Sequence, residues 1–308
     1  DKESRMHQVV RFVGGVVLSL AMASPAFGSA EFEKALTGLA DDWDGLLKKH
    51  VRADGGVDYQ GFNKDFAALE SWIGKHAGLK LAGATDNQKL ALYINLYNGT
   101  MVYNLLKHTK EKKIDVASQK FLKLEINDIS VSGGNIWNGN YKVKLAGKDV
   151  NLDNIEHGLI RGDQSTPHKE HKVSKLDPRI HAAVNCAAIS CPRVREKAYR
   201  SSNVQQMLQE NMEEWLSTEE QFAKKGSKLR SNKIVFWYYG DFDDQKGGAG
   251  DYLSQFVGNK ASDAAWKKKH LKENFNDRST FALRLSSDFE FFYDWKVNDI
   301  RNKGSASH

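Results

Sequence analysis

Two cysteines and four prolines are all that 308 residues hold of either type. So few cysteines exclude a disulfide-dense scaffold and a four-cysteine zinc site. After Pro25 only Pro167, Pro178 and Pro192 remain, which excludes long proline-rich linkers. Apolar runs are scarce as well. Beyond the N-terminus no stretch approaches the ~20 residues that a spanning helix requires. Nor is there a basic stripe interleaved with aromatic residues, although the net charge is +6, so nucleic acid is not an expected partner.

The chain begins with a pattern of export. Lys2, Arg5 and Arg11 form a positive start, and Val13 to Ala23 an apolar run too short to cross a bilayer. The small residues of "PAFGSAEF" offer cleavage after Gly28 or Ala30. Residues 1–30 are therefore expected to be a signal peptide and residues 31–308 the mature domain, periplasmic or extracellular, with no membrane span once the signal is removed.

Hydrophobic spacing predicts helices first and strands interspersed later. Phe32, Leu36, Leu39, Trp43 and Leu46 recur at helical intervals, and a second amphipathic segment runs from about Phe62 to Ile73. The strongest helix is "DNQKLALYINLYNGTMVYNLLKH", with Thr85 or Asp86 as its cap. Residues 121–150 carry short β-type runs, "NLDNIEHGLIR" reads as a helix, and "DPRIHAAVNCAAIS" and "SNKIVFWYYGDF" read as strands. The expectation is an α+β fold: one compact domain, helices packed on a mostly antiparallel sheet.

Three stretches hold residues suited to chemistry. In "LDNIEHGLIR", Glu156 falls within the stripe of Leu152, Ile155, Leu159 and Ile160, with His157 on its shoulder. A carboxylate there needs a partner. Either Asp153 and Glu156 form a capping box, or Glu156 orients His157 as a base. In the long helix, Asn98 projects into an apolar stripe, as does Asn104; a buried amide serves structure or stabilises an oxyanion.

The third stretch, "RIHAAVNCAAISCPRV", contains both cysteines, Cys186 and Cys191. Read as a strand, it places Ile180, Ala182, Val184 and Cys186 on one face and His181 with Asn185 on the other. On that reading His181 does not reach Cys186, and a base must come from elsewhere, with His157 the candidate. The pair is open to three readings: a disulfide, a reactive thiol, or inert burial. His168, His171, His181 and the cysteines do not form a paired, short-spaced zinc motif, so no metal and no cofactor is expected.

Taken together, "YINLYNGT", "VNLDNIEHGLIR", "DPRIHAAVNCAAISCPRVR", "KIVFWYYGDF" and "YDWKVND" resemble the family labelled domain of unknown function 547, from about residue 40 to about 300. Bacterial members of that family are often exported, and some relatives are joined to redox domains. The resemblance implies a compact domain, sometimes likened to the papain or transglutaminase group. It further implies a catalytic set in which Cys186 is the thiol, His157 the base and Glu156 the acid, with Asn98 in the "NLYN" motif. Plant relatives tolerate serine or aspartate at the position of Cys191, which favours Cys186 as nucleophile and leaves Cys191 as a secondary thiol or redox partner. The function expected is cysteine-dependent amide hydrolysis or acyl transfer on a peptide, amide or thiol substrate. The alternatives are thiol–disulfide or glutathione chemistry, or a non-catalytic binding module.

Overall fold

The computed structural model describes residues 27–258, 263–276, 283 and 286–303. The export signal expected over residues 1–30 lies outside the described residues as far as Ala26.

Four helices build the first layer: α1 (Phe27–His50), α2 (Tyr59–Lys64), α3 (Phe66–Lys75) and α4 (Asp86–Glu111). In α1 the stripe residues Phe32, Leu36, Leu39, Trp43, Leu46 and Leu47 are buried, whereas Ala35, predicted on the same stripe, is exposed. Lys48, Lys49 and His50 in its last turn face the negative end of the helix dipole. Thr85 caps α4 in a full capping box with Gln88, and most of α4 is buried on every side, marking it as the central helix. Helix α3 crosses it at Gly99, where a Cβ would stand 2.2 Å from the Trp72 ring. That ring stacks on Trp43 of α1 at 4.7 Å and donates to the Leu39 carbonyl at 2.8 Å. The segment predicted from Phe62 to Ile73 is thus two helices, broken at Asp65, which serves as C-cap to α2 and N-cap to α3.

The strands do not form one sheet. Strands β1 (Ser130–Val131) and β2 (Gly134–Asn135) make one antiparallel pair. A second antiparallel pair is β3 (Val143–Leu145) with β4 (Lys148–Val150), joined by Ala146 and Gly147 at φ 46° and 81°, the left-handed pair that a tight hairpin requires. Strands β5 (Phe222–Lys225) and β6 (Lys228–Asn232) pair antiparallel, and β7 (Phe289–Phe292) adds to β6 in parallel. The fold is α+β, but among the described residues its sheet is divided into three small pieces, one with a parallel edge.

Three segments that position the site depart from the sequence expectation. "NIEHGLI" is a π-helix, Asn154–Ile160. Asn151 and Asn154 cap each other through reciprocal side-chain to backbone bonds of 3.1 and 2.8 Å, so the capping box expected of Asp153 and Glu156 is absent. Residues Pro178–Ala182, expected as a strand, form a 3-10 turn started by Asp177, whose carboxylate accepts from the Arg179 amide, and by Pro178. "KIVFWYYGDF" is helical: Asn232 ends β6 and caps α7 (Lys233–Trp237) through the Ile234 amide at 2.9 Å, and α8 (Tyr239–Asp243) follows. Its β-branched and aromatic residues suit either state; the cap decides.

The buried residues form two clusters. One gathers α1–α4, the hairpins and the cysteine segment, and the other gathers Met212 to Phe289 with Ala182. Tyr293 packs against both.

Candidate functional site

Between the clusters lies a cavity of about 220 Å³. Glu156 and His157 enter it from the π-helix, His181 from the 3-10 turn, and Cys186 with Cys191 from the following loop. Trp237 and Tyr238 close one side, and Tyr293 and Trp295 come from the C-terminal segment. A π-helix offsets its side chains from the ordinary helical register, and such distortions gather at functional sites. Thr166 packs closely on this one at Gly158, where a Cβ would find no room.

The cysteine loop is held from behind. Asn98 accepts from the Asn185 amide at 2.8 Å and donates to the Ala183 carbonyl at 2.9 Å. Both ends of its amide thus engage the backbone, and Asn98 braces the loop with one N–H of its amide still unused. Asn185 in turn donates to the Pro192 carbonyl at 2.7 Å, accepts from Ala187 at 2.8 Å, and receives Asn298 at 3.1 Å. Ala187, at φ 64°, turns the chain sharply enough to bring the cysteines together.

Cys186 and Cys191 are joined in a disulfide, with Cα atoms 6.3 Å apart. Of the readings left open for the pair, this structure holds the disulfide, and neither sulfur is a free thiol in it. The Cys186 amide donates to the Cys191 sulfur at 3.0 Å. The Tyr293 hydroxyl lies 3.0 Å from the Cys186 sulfur and 3.1 Å from that of Cys191. Cys191 is buried, whereas Cys186 is partly exposed.

A charged network forms the opposite wall. Arg161 grips Asp241 through Nε and Nη2 at 2.7 and 2.8 Å, and its Nη1 donates to His157 Nδ1 at 2.8 Å. His181 Nε2 lies 2.7 Å from Asp241 Oδ2, and its ring stacks on Tyr238 at 3.9 Å. Burial raises the Asp241 pKa, but the bonds from His181 and Arg161 outweigh it and hold the carboxyl far below its usual range. Burial lowers the pKa of His181, with Asp241 opposing in part, so the imidazole is neutral at pH 7.

Tautomers follow from these partners. Guanidinium can only donate, so His157 Nδ1 is an acceptor and its proton sits on Nε2. His181 donates Nε2–H to an ionised carboxylate, so its lone pair is on Nδ1, a buried atom with no hydrogen-bond partner. His181 is therefore the residue equipped as a base, with Asp241 as its orienting acid. The expected His157–Glu156 pairing is not formed: Glu156 takes the Tyr238 hydroxyl at 2.7 Å and that of Tyr97. His181 also lines the same cavity as Cys186, contrary to the strand reading, because a 3-10 turn does not alternate its side chains.

Asp241, Tyr238 and Tyr293 escaped the sequence reading. The signal present was polar Asp241 within the aromatic run "FWYYGDF", and Arg161 closing "HGLIR". Nothing in the spacing links position 181 to 241.

Residues 81–216 match a family model described as "Protein of unknown function, DUF547". Over that span the chain is similar to the DUF547 family. The matched span contains Asn98, Glu156, His157, Arg161, His181 and both cysteines. Tyr238, Asp241 and Tyr293 lie beyond it, so the matched span holds both cysteines and His181 but not the carboxylate that His181 meets. No curated protein and no solved structure gives a significant match to the chain. No helix among the described residues is long and apolar enough to cross a membrane.

Proposed function

We propose that the cavity carries out thiol–disulfide exchange at the Cys186–Cys191 pair. The observation that supports this reading is the asymmetry of the disulfide. Cys191 is buried with the Cys186 amide directed at its sulfur, the Tyr293 hydroxyl stands against both sulfurs, and Cys186 is the more accessible. Donors aimed at a sulfur favour its thiolate, and a stabilised thiolate is the better leaving group.

The steps follow. His181 Nδ1 takes the proton of an incoming thiol. The resulting thiolate attacks the Cys186 sulfur; a bond forms between the substrate and Cys186, the Cys186–Cys191 bond breaks, and its electron pair goes to Cys191. His181 returns the proton to the cysteine pair. His181 takes the proton of a second substrate thiol, whose thiolate attacks the substrate sulfur of the mixed disulfide; the Cys186 sulfur leaves with the electron pair and receives that proton, giving two protein thiols and an oxidised substrate. An external small-molecule disulfide restores the pair by the reverse sequence. The cavity, at about 220 Å³, fits a small thiol or a single side chain rather than a folded partner. An exported location, where disulfides persist, belongs to the same proposal.

A second reading has an observation of its own. The His181–Asp241 pair is what a cysteine hydrolase or acyl transferase uses to activate its thiol, and reduction would free Cys186 for that role. One variant separates the two. Cys191→Ala protein mixed with oxidised glutathione should form a stable mixed disulfide at Cys186, found by intact mass, and should lose all turnover of a thiol–disulfide pair. Retained turnover overturns the exchange reading. Cleavage of a thioester by the same variant, abolished by Cys186→Ala, would establish acyl transfer instead.

A further inference from the structure

A second cluster stands apart from this cavity. The sequence "HKEH" puts His168, Glu170 and His171 around the 3-10 turn Lys169–His171, in the polar loop that follows the π-helix. Each offers one ligand atom, and these atoms lie within 4.8 Å of one another. Among the described residues no other group of three or more histidine, cysteine or acidic side chains is gathered so closely.

Proximity alone is common; the state of His168 is not. It is 3% exposed, yet its Nδ1 is buried with no hydrogen-bond partner. A buried ring nitrogen in that state is costly unless something fills the place. Its other nitrogen, Nε2, donates to the Leu145 carbonyl of β3 at 2.6 Å. That bond fixes the tautomer and leaves the Nδ1 lone pair as the only one the ring can offer. A histidine ligand held by a backbone carbonyl in this manner is the usual outer arrangement of a metal site. The turn is braced too: Tyr93 of α4 donates to the His171 carbonyl at 2.8 Å. Lys148 approaches Glu170 at 3.6 Å, but both side chains are exposed and the pair is readily exchanged for a stronger cation.

We propose that His168 Nδ1, Glu170 and His171 bind a divalent transition metal of the zinc type, with water completing the shell. Two imidazoles and one carboxylate suit zinc or cobalt and not calcium or magnesium, which take oxygen. The ion would clip the loop to the β3–β4 hairpin through His168 and Leu145. The same loop carries Thr166, which packs on Gly158 of the π-helix, so the clip would steady the element that presents Glu156 and His157.

The test uses the untagged full chain, stripped with chelator and kept free of reductant. Cobalt titration followed by visible absorption should saturate at one equivalent, zinc should displace the cobalt, and zinc should raise the melting temperature. His171→Ala and Glu170→Gln alter surface side chains and should melt as the stripped wild type does. Each should weaken zinc binding at least about tenfold and abolish the thermal shift. Absence of saturable cobalt or zinc binding overturns the proposal, and so does binding that is unchanged in both variants.

Discussion

His181 Nε2 and Asp241 Oδ2 meet at 2.7 Å across sixty residues of chain, joining the turn that precedes the cysteine loop to the short helix α8. The same carboxylate receives Arg161 through two bonds, so one side chain orders His181, the arginine and, through Arg161, His157.

Asp241→Asn should therefore be severe. The amide keeps the shape but brings a donor against donors that then lack an acceptor. Breaking a buried pair of this kind costs about 3 kcal/mol. Urea denaturation should show the loss in its midpoint, and thiol exchange should slow as His181 loses its orientation. An unchanged midpoint would mean that the network is not formed in solution.

Acid should destabilise the fold before its carboxylates titrate. Burial, opposed by bonds to the Trp72 and Ile73 carbonyls, lowers the pKa of His76 to about 4, and His181 is lowered for the same reason. A lowered folded pKa stabilises fully above the unfolded value near ~6.5 and is lost as pH falls toward the folded value. His76 alone should remove about 3 kcal/mol between those limits, the product of the shift and the per-unit energy. Denaturation at a series of pH values should give this slope, and His76→Gln should flatten it by about one proton. A slope that is the same in the variant would contradict the assignment.

Tyr293→Phe keeps the ring in its aromatic surroundings and removes only the proton shared by the two sulfurs. If that proton stabilises the leaving thiolate of Cys191, exchange with glutathione should slow about tenfold, the worth of a hydrogen bond to a charged group. Melting temperature should barely move. Full exchange rate in Tyr293→Phe would remove the tyrosine from the mechanism.

Reduction of the disulfide should destabilise the fold by about 2 kcal/mol, as loop-closure entropy gives for so short a span. Denaturant titration with and without dithiothreitol measures it. Equal midpoints, with thiols shown to be free, would mean that the pair carries no stability.

Asn98→Ala should cost about 1–3 kcal/mol by stranding the Ala183 carbonyl and the Asn185 amide. The same variant should loosen the cysteine loop, seen as faster reduction of the disulfide. A stable variant with ordinary reduction kinetics would show that Asn98 is not the brace.

Much of the helical half was legible because burial and periodicity agree there. Helix α4, its Thr85 cap and the stripe of α1 follow from local rules. Errors arose where two local signals compete. "KIVFWYY" has strand-like residues, and the Asn232 cap turned it into a helix. "RIHAAV" has strand-like alternation, and Asp177 with Pro178 turned its start into a 3-10 turn. Glu156 was recognised as a carboxylate in need of a partner, but its partner, Tyr238, is eighty-two residues away.

The sequence by itself determined that Asn98 and Glu156 intrude on apolar stripes and need partners there, and that the two cysteines lie close enough in the chain to pair. These follow from composition and spacing, since an apolar stripe exposes every polar intruder at once. Tertiary structure alone decided who satisfies whom. It gave Asp241 to His181, Tyr238 to Glu156, Tyr293 to the sulfurs, and each cysteine to the other. Such pairings join side chains far apart in the chain, and they are selected by the folded geometry that desolvates both partners together, a quantity no local pattern contains.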